Sequence, residues 1–269
     1  MSTPSTELQK TWFILSSLVA REFKLKYRRS FLGVAWSVLN PLLMMIVMTL
    51  VFTTIFRFDT PNYPAYLILG QVFFNFMVGS TSAGLLSIVS SASLIKKVKI
   101  QKVVFPLKSV LSELVNLGFS LIAVILVLVF TRVAPRWTWL LLPFPLICLM
   151  VFALGLALML SAFEVFFRDI QHLWTVVTLA WMYATPIFYP MSIFDPKPGE
   201  TISRAGEFMK AVMPYNPMYQ FITYLRTIVL DGVVPSGMAH LACLLAAGVA
   251  LALGLLVFRR TERNFILYV

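Results

Sequence analysis

Long apolar runs without charge, separated by short polar and basic segments, form the pattern of this sequence. Residues 31–56 contain no charged side chain, and Arg28 and Arg29 precede them with only Ser30 between. As an α-helix rising about 1.5 Å per residue, this run is longer than the ~30 Å hydrocarbon layer of a bilayer. Because a helix satisfies its backbone polar groups internally, as lipid requires, the run predicts a transmembrane helix over 31–56.

Five further apolar runs repeat this pattern, so the predicted fold class is an all-α integral membrane protein with six transmembrane helices. The approximate bounds of the five are 65–90, 107–131, 138–163, 171–189 and 237–258. The six-helix domain then covers 31–258, between an N-terminal segment at 1–30 and a C-terminal tail at 259–269.

The basic residues predict how the six helices are oriented. An even number of spans places both termini on one side of the membrane. Of the 22 Lys and Arg residues, 15 fall on that side, where the segment 91–108 is the most basic loop. Since positive charge accumulates in cytoplasmic loops, we expect both termini in the cytoplasm.

Two segments depart from the transmembrane pattern. Residues 8–27 predict an amphipathic helix, with Trp12 at the edge of its apolar face and Arg21 on its basic face, suited to the membrane interface. An ordinary surface helix is the alternative.

Residues 190–236 are rich in proline and carry apolar stretches too short to span, which predicts two short re-entrant helices in the outer leaflet. An ordered extracytoplasmic cap is the alternative there.

Composition supports a membrane protein and excludes several other classes. The chain is 59% hydrophobic and 12% charged, against about 25% charged residues in soluble domains. The net charge of +11 comes from residues beside apolar runs, so we expect membrane lipids and no nucleic acid as partners. Cys148 and Cys243 lie within apolar stretches, which favours buried free thiols, and the two histidines are isolated, so no metal site is expected.

Chemistry for energy coupling is missing from the sequence. It contains no Gly-Lys pair and therefore no phosphate-binding loop of the usual type. The predicted spans also lack a series of acidic or histidine residues for a proton relay. Glu113 and Glu164 lie near the inner ends of the third and fourth predicted spans. We interpret them as salt-bridge partners at the membrane interface; alternatively, they are functional groups. A transporter of this composition takes its energy from another subunit, so we expect no catalytic residue and no cofactor in this chain.

Aromatic residues give the positive signal. Trp174, Trp181 and Phe188 recur every seven residues and would share one face of the fifth predicted span. Ring faces stack on the apolar faces of sugars, although helix packing and interfacial belts are the ordinary uses of aromatic residues in membranes. The residues expected to line a substrate path are Phe73, Phe74, Trp174, Trp181, Tyr183, Phe188 and Tyr189.

Three groups of residues occur in order along nearly the whole chain. The first group is Tyr27-Arg28-Arg29-Ser30-Phe31-Leu32-Gly33, followed by Trp36 and Leu39-Asn40-Pro41-Leu42. The second group is Arg168-Asp169-Ile170, followed by Thr185-Pro186-Ile187-Phe188-Tyr189-Pro190. The third group is Asn216-Pro217, followed by Tyr224-Leu225-Arg226 and Gly232. In combination they resemble the motifs of type-2 ABC permeases that export polysaccharides. Within that family they are most similar to O-antigen permeases of the Wzm type, with capsule (KpsM) and teichoic-acid permeases as relatives.

This resemblance implies a half-transporter in a bacterial inner membrane. Two copies of the chain would form a channel as a homodimer, and two separate ATPase subunits, which bind ATP and magnesium, would drive it. The resemblance also implies that the helix at 8–27 and the basic loop contact the ATPase. The loop residues expected at that contact are Ser91, Leu94, Ile95, Lys96, Val98, Ile100 and Lys102.

The implied substrate is a long glycan carried on undecaprenyl pyrophosphate. Cationic residues at the inner interface would attract the pyrophosphate electrostatically; alternatively, they are orientation signals that touch only lipid headgroups. These residues are Arg28, Arg29, Lys96, Lys97 and Lys99.

Three other functions stay open at this point. A type-2 permease for capsule, teichoic acid, a drug or another lipid shares the architecture, although a drug or lipid permease should lack the combined motifs. An integral-membrane enzyme acting on lipid-linked sugars needs converging acids or histidines, and His172 and His240 lie on opposite predicted sides. A structural scaffold does not explain the ordered motifs.

Overall fold

The computed structural model describes residues 4–27, 32–55, 60–97, 100–195 and 202–268, and these ranges are mainly helical, with no β-strand in them. Their helices are α1 (Pro4–Tyr27), α2 (Ala35–Leu50), α3 (Tyr63–Ser90), α4 (Ala92–Lys97), α5 (Val104–Phe130), α6 (Pro143–Phe166), α7 (Ile170–Ala184), α8 (Arg204–Val212), α9 (Pro217–Arg226), α10 (Gly237–Thr261) and α11 (Phe265–Tyr268). Single π-helical turns extend α2 to Ile55 and α9 to Asp231. The predicted all-α fold class is confirmed for the described ranges.

Among the described residues, five elements are long and apolar enough to cross a membrane. They coincide with the first four and the last of the predicted spans, so the chain is a multi-pass membrane protein. The residues just before and just after the first of them, 28–31 and 56–59, lie outside the described ranges. The five elements are Ala35–Ile55, Tyr63–Ser90, Val104–Phe130, Trp137–Phe166 and Gly237–Tyr268.

The fifth predicted span, 171–189, corresponds to α7. This helix has 15 residues, a length of about 22 Å, which is shorter than the ~30 Å hydrocarbon layer. It ends at Ala184 because Pro186 disfavours a helical backbone at Thr185, which is extended. The helix therefore stops five residues before the predicted end, and the count of six spans stays a prediction.

The central element is α3, which contacts α2, α5, α6, α7 and α9. Its side chains are buried almost continuously from Leu67 to Phe74, so its apolar surface is covered by protein on all sides. Phe152 of α6 and Phe221 of α9 belong to the same buried cluster. The core of the protein therefore surrounds the N-terminal half of α3.

Helices α6 and α10 lie side by side with their backbones in contact. A Cβ atom on Gly155 would overlap the backbone of Ala250, and one on Gly254 would overlap the carbonyl of Gly155. Glycine at such positions lets membrane helices approach closely. Cys148 and Cys243 lie on these two helices as buried free thiols, as the sequence predicts.

Helix α1 lies along α5. The side chain of Leu15 is buried, and Lys108 Nζ on α5 lies 3.2 Å from Glu22 Oε2 on α1. Ser112 Oγ donates a second bond to the same carboxylate oxygen at 2.9 Å, whereas the Trp12 side chain is exposed. The helix predicted over 8–27 is present, and its position in the membrane interface stays a prediction.

The segment 190–236 contains the two short helices that the sequence predicts, α8 and α9. The Ser203 hydroxyl accepts a bond from the backbone N–H of Gly206 and caps α8, and Asn216 caps α9 in the same way. Helix α8 is largely exposed, whereas Met218 and Phe221 of α9 are fully buried against α3, α6 and α10.

Candidate functional site

The segment after α7, residues 185–190, is called the α7 turn below; it folds back onto the start of α3. Tyr63 Oη donates a hydrogen bond to the carbonyl of Phe188 at 2.5 Å. Tyr66 Oη donates to the carbonyls of Pro186, at 3.2 Å, and Tyr189, at 3.0 Å. Two tyrosines from one turn of α3 thus contact three carbonyls of the α7 turn, with the single O–H hydrogen of Tyr66 shared between two of them.

Arg226, the last residue of α9, holds the same turn from the other side. Its Nε and Nη2 atoms donate to the Tyr66 carbonyl at 3.1 and 2.9 Å. Nη1 donates to the Pro186 carbonyl at 2.8 Å, and Nη2 also donates to the Ile187 carbonyl at 3.0 Å. The guanidinium lies over the Tyr66 ring, with Cζ 3.3 Å from the centroid. One side chain therefore joins α3, the α7 turn and α9.

The charge on Arg226 is balanced by carbonyl dipoles. The residue is only 7% exposed, and no carboxylate in the described ranges forms an ion pair with it. Guanidinium stays protonated in proteins, and a buried charge without partners is very costly. Four N–H···O bonds and a ring face supply the compensation here.

Gly70 on α3 makes room for this guanidinium. A Cβ atom on Gly70 would lie 2.6 Å from Arg226 Nη2 and 3.2 Å from the Ile187 side chain. The hydrophobic pattern of the chain predicts no such role for either residue. An arginine within an apolar segment is the signal that points to this site, since such a charge has specific partners when it is buried.

Trp181 connects α7 to the start of α9. Its Nε1–H donates to Asn216 Oδ1 at 2.9 Å, and Asn216 Nδ2 donates to Thr185 Oγ1 at 3.0 Å. The indole meets the rings of Phe74 and Phe152 edge to face, with centroids 6.5 and 6.2 Å away. Trp181 therefore belongs to the core contacts of this chain, and its place on a substrate path stays a prediction.

The other predicted path residues on and after α7 differ in exposure. Trp174 is partly buried and donates to Thr81 Oγ1 at 3.0 Å. Tyr183 is 60% exposed, and its carbonyl accepts a bond from Tyr189 Oη at 3.0 Å. Phe188 lies in the α7 turn, outside the helical face shared by the two tryptophans, and stacks on Phe52 at 5.9 Å. Tyr183 presents the largest free surface of this group.

Phe73 and Phe74 complete the predicted aromatic set. Each is 1% exposed, in the buried cluster around α3. Within one chain, their rings are thus covered by neighbouring helices. Their role in lining a substrate path stays a prediction. The ring of Tyr183 is more accessible than the rings of Phe73 and Phe74.

At the opposite end of α3 lies the basic loop. Its first residue, Ser91, accepts the first backbone bonds of α4, and Leu94 and Ile95 lie against the buried cluster around Phe105 and Phe265. Ile100 is partly buried, and Lys102 donates to the Glu262 carbonyl and lies 5.6 Å from the Phe265 ring centroid. The apolar residues and Lys102 thus anchor the loop to the end of the chain.

Lys96 and Lys97, at the end of α4, are exposed. The remaining members of the two predicted interface sets lie outside the described residues: Arg28, Arg29, Val98 and Lys99. Neither the ATPase contact nor the pyrophosphate contact is therefore decided by this geometry, and both stay predictions.

The two acidic residues singled out by the sequence have different surroundings. The carboxylate of Glu113 accepts a bond from Asn116 Nδ2 at 3.2 Å and faces Gly79 of α3. Glu164 is 3% exposed, and its Oε2 atom has no hydrogen-bond partner in the described ranges. In the same ranges, no group of three or more His, Cys, Asp or Glu residues is arranged to hold a metal ion.

The long apolar helices define the class as a multi-pass α-helical membrane protein, and comparison with known proteins gives its family. The chain belongs to the ABC-2 type transporter family, whose sequence profile matches residues 15–230. It is therefore a transporter permease and not an enzyme.

Several relatives have export systems in their names. The chain is 31% identical over 262 residues to the O-antigen export system permease protein RfbA of Myxococcus xanthus, with 96% of each chain covered. It is 26% identical to an O-antigen export system permease protein RfbA of Klebsiella pneumoniae, over 94% of this chain and 93% of the relative. It is also 25% identical to the capsule polysaccharide export inner-membrane protein CtrC of Neisseria meningitidis, over 77% and 83%.

Proposed function

We propose that this chain is the channel-forming subunit of an ABC transporter that exports a lipid-linked polysaccharide across a bacterial inner membrane. The observation that carries the proposal is the full-length similarity to O-antigen export permeases, which covers 96% of both chains in one case. The substrate would be a glycan on undecaprenyl pyrophosphate. ATP and magnesium would bind to a separate ATPase subunit and not to this chain.

The contacts of α7 support a sixth crossing. Trp174 bonds to Thr81, and the carbonyl of Phe188 bonds to Tyr63. Thr81 and Tyr63 are 18 residues apart on α3, which is about 27 Å along the helix, close to the hydrocarbon thickness of ~30 Å. Helix α7 and the α7 turn together therefore cover the depth that α7 alone does not.

Helices α8 and α9 fit a re-entrant pair. Asn216, between them, bonds to Trp181, whose ring lies against Phe152 at the middle of the Trp137–Phe166 element. At the other end of α9, the carbonyl of Ile228 accepts a bond from Thr138 at the start of that element. Helix α9 thus extends from mid-depth to the outer end, with its backbone shielded by protein.

The ATPase would bind at the inner end of the bundle. A cavity of about 320 Å³ lies between α1, the end of α3, α4 and the start of α5, and its lining includes Arg21, Leu94 and the Lys108–Glu22 pair. Lys96 and Lys97, which follow Leu94 on α4, are exposed. A groove next to exposed cations suits a partner surface that carries acidic side chains.

Deletion of the gene tests the function. Cells without the chain should lose the surface glycan and accumulate lipid-linked glycan in the inner membrane, and the wild-type gene should restore export. An ATPase subunit with its phosphate-binding lysine replaced should give the same accumulation. Normal surface glycan in the deletion strain would refute the proposal. Chemical analysis of the accumulated polymer would separate O-antigen from capsule, which the CtrC relative favours as the second candidate.

Thiol labelling tests the orientation. Cysteines replacing Ser93 and Ser192, both exposed, should react from opposite sides of the membrane. In intact cells a small impermeant maleimide should reach position 192, and it should reach position 93 only after permeabilisation of the inner membrane. The native cysteines are buried and provide a low background. Labelling of position 93 in intact cells would reverse the orientation.

A further inference from the structure

A polar cavity lies between α2, α3 and α5, apart from the aromatic residues described above. Its volume is about 100 Å³. Six polar side chains line it, together with the rings of Trp36 and Phe76. They are Ser37, Asn40, Asn75, Glu113, Asn116 and Ser120.

Hydrogen bonds between α2 and α5 fix one wall of this cavity. Ser37 Oγ donates to Asn116 Oδ1 at 2.7 Å, and Asn116 Nδ2 donates to Glu113 Oε2 at 3.2 Å. Ser120 Oγ donates to the Ser37 carbonyl at 3.1 Å. That carbonyl has no helical donor four residues later, because Pro41 lacks an N–H group. Pro41 thus leaves the Ser37 carbonyl without a helical partner, and Ser120 of α5 supplies the hydrogen bond. Because these bonds form within the chain, this wall of the cavity is pre-organised.

The rim of the cavity carries polar groups that are not used within the described part of the chain. Asn40 and Asn75 are exposed, and neither side-chain amide forms a hydrogen bond there. Each amide offers two N–H donors and a carbonyl acceptor. The Trp36 ring is 46% exposed beside them. Donors, acceptors and one ring face are therefore available at the same opening.

The depth of the cavity matters because unpaired amides are costly in lipid. Glu113 lies five residues beyond Lys108, whose Nζ pairs with α1, and is therefore about 7.5 Å deeper along α5. Asn75 lies near the middle of Tyr63–Ser90. Unsatisfied polar groups at such depth face water-containing cavities or protein rather than hydrocarbon. The opening of this cavity is therefore expected to face a water-containing space or another protein surface rather than hydrocarbon.

We propose that this cavity is a sugar-binding station on the wall of the export path. Amides and a carboxylate exchange hydrogen bonds with hydroxyl groups, and the indole face of Trp36 suits the apolar face of a sugar ring. A volume of about 100 Å³ admits the hydroxyl edge of one residue rather than a whole ring. We place the glycan at this station, and not its pyrophosphate carrier, because the exposed groups at the opening are the uncharged amides of Asn40 and Asn75 and the ring of Trp36.

This proposal rests on the proposed export function, and thiol labelling separates the two. The parent protein has Cys148 and Cys243 replaced by alanine and is expressed with its ATPase. Its export of surface glycan reports on the proposed function alone. Cysteine is then introduced at Asn75, with Ile125→Cys as the matched control, because Ile125 is exposed on α5 without polar neighbours at the cavity.

The N75C protein should react with a water-soluble charged maleimide, whereas the I125C protein should not. In cells that synthesise the glycan, labelling of N75C should be at least several-fold slower than in cells whose initiating sugar transferase is inactivated. An exporting parent whose N75C form is unlabelled, or labelled equally in both strains, overturns the sugar station. If the wild-type chain, expressed with its ATPase, exports no glycan, the export function is overturned instead.

Export rates provide a second test. Asn75→Ala and Asn40→Ala should each slow export about 5-fold, the factor that corresponds to the loss of one hydrogen bond of ~1 kcal/mol. Leu86→Ala, at another exposed position of α3, should leave export unchanged. Amounts of folded protein in the membrane are measured for all three variants. Normal export by both asparagine variants at normal protein levels would refute the station.

Discussion

At the scale of single residues, the α7 turn depends on how one buried cation is satisfied. Arg226 directs four hydrogen bonds to three carbonyls and places its plane on the Tyr66 ring. Among protein side chains, only guanidinium combines a permanent charge with five donors in one plane. The arrangement therefore selects arginine and not merely a positive charge.

Arg226→Lys should destabilise the protein although it keeps the charge. An ammonium group cannot reach three carbonyls in one plane, and hydrogen bonds to charged groups contribute about 1.5–3 kcal/mol each. We expect a loss of roughly 2–4 kcal/mol, measured as a lower midpoint of thermal unfolding in detergent. Arg204→Lys on the exposed α8 is the matched control and should unfold like the wild type. Equal stability of the two variants would contradict this assignment.

Gly70→Ala tests the same contact from α3. The added Cβ would lie 2.6 Å from Nη2 and displace the guanidinium from its carbonyls. Overpacking of this kind costs about 1–3 kcal/mol, which a thermal melt should detect. Gly118→Ala on α5 meets open space and should be neutral or slightly stabilising, because alanine favours helix over glycine by about 1 kcal/mol. A harmless Gly70→Ala variant would show that the guanidinium can shift freely.

The sequence revealed only part of this residue-level detail. The seven-residue spacing correctly grouped Trp174 and Trp181 on α7, whose indole N–H groups both find partners. It did not reveal that Phe188 lies beyond the helix, because spacing alone takes no account of the proline at position 186. The role of Arg226 was not predictable from spacing, since its partners are backbone carbonyls on distant segments. Every residue has such a carbonyl, so no sequence pattern identifies the ones that bind Arg226.

At the scale of elements, α4 combines anchored apolar residues with exposed cations. Replacing both Lys96 and Lys97 by Glu should weaken binding of the ATPase subunit about ten-fold or more, because like charges across an interface repel. Co-purification and pull-down affinity measure this. Replacing Arg259 and Arg260, which are exposed near the end of α10, by Glu makes the same charge change away from α4. If both pairs weaken binding equally, the effect is one of net charge and not of α4.

Two residues of α7, Trp181 and Tyr183, allow effects on packing and effects on transport to be measured separately. Trp181→Ala removes a ring held by Phe74, Phe152 and Asn216, and should lower stability by about 3–5 kcal/mol. Tyr183→Ala removes an exposed ring and should leave unfolding unchanged. If Tyr183 faces the substrate path, its variant should still slow glycan export several-fold. Normal export by Tyr183→Ala would remove that residue from the path.

Long elements were predictable because an uninterrupted apolar run of about 20 residues is typical of a transmembrane helix and rare in soluble proteins. Shorter elements were less so. The end of α7 follows from Pro186, but the path of the chain beyond it depends on bonds from Asn216 to Thr185 and from Arg226 to the Pro186 carbonyl, which form only after folding. The cavity beside Asn40 and Asn75 was missed for the same reason: two of its polar side chains come from α2, one from α3 and three from α5.

At the scale of the whole molecule, the helices differ in how firmly they are held. Helix α6 makes extensive contacts with both α3 and α10, and α1 is attached to α5 through Glu22. Exposed apolar side chains are frequent on α2 and α7, for example Leu43, Val47, Val176 and Leu179. These surfaces are available to lipid or to the second copy that a homodimer requires.

The glycine contact between α6 and α10 has a mechanical consequence. Since the two backbones touch at Gly155 and Gly254, neither helix can slide or rotate against its neighbour without a steric collision. We expect α6 and α10 to keep the same relative position throughout the transport cycle. A covalent cross-link between the two helices should therefore leave the export rate unchanged. Shape changes that open and close the passage would then fall to α2 and α7, which carry many exposed apolar side chains.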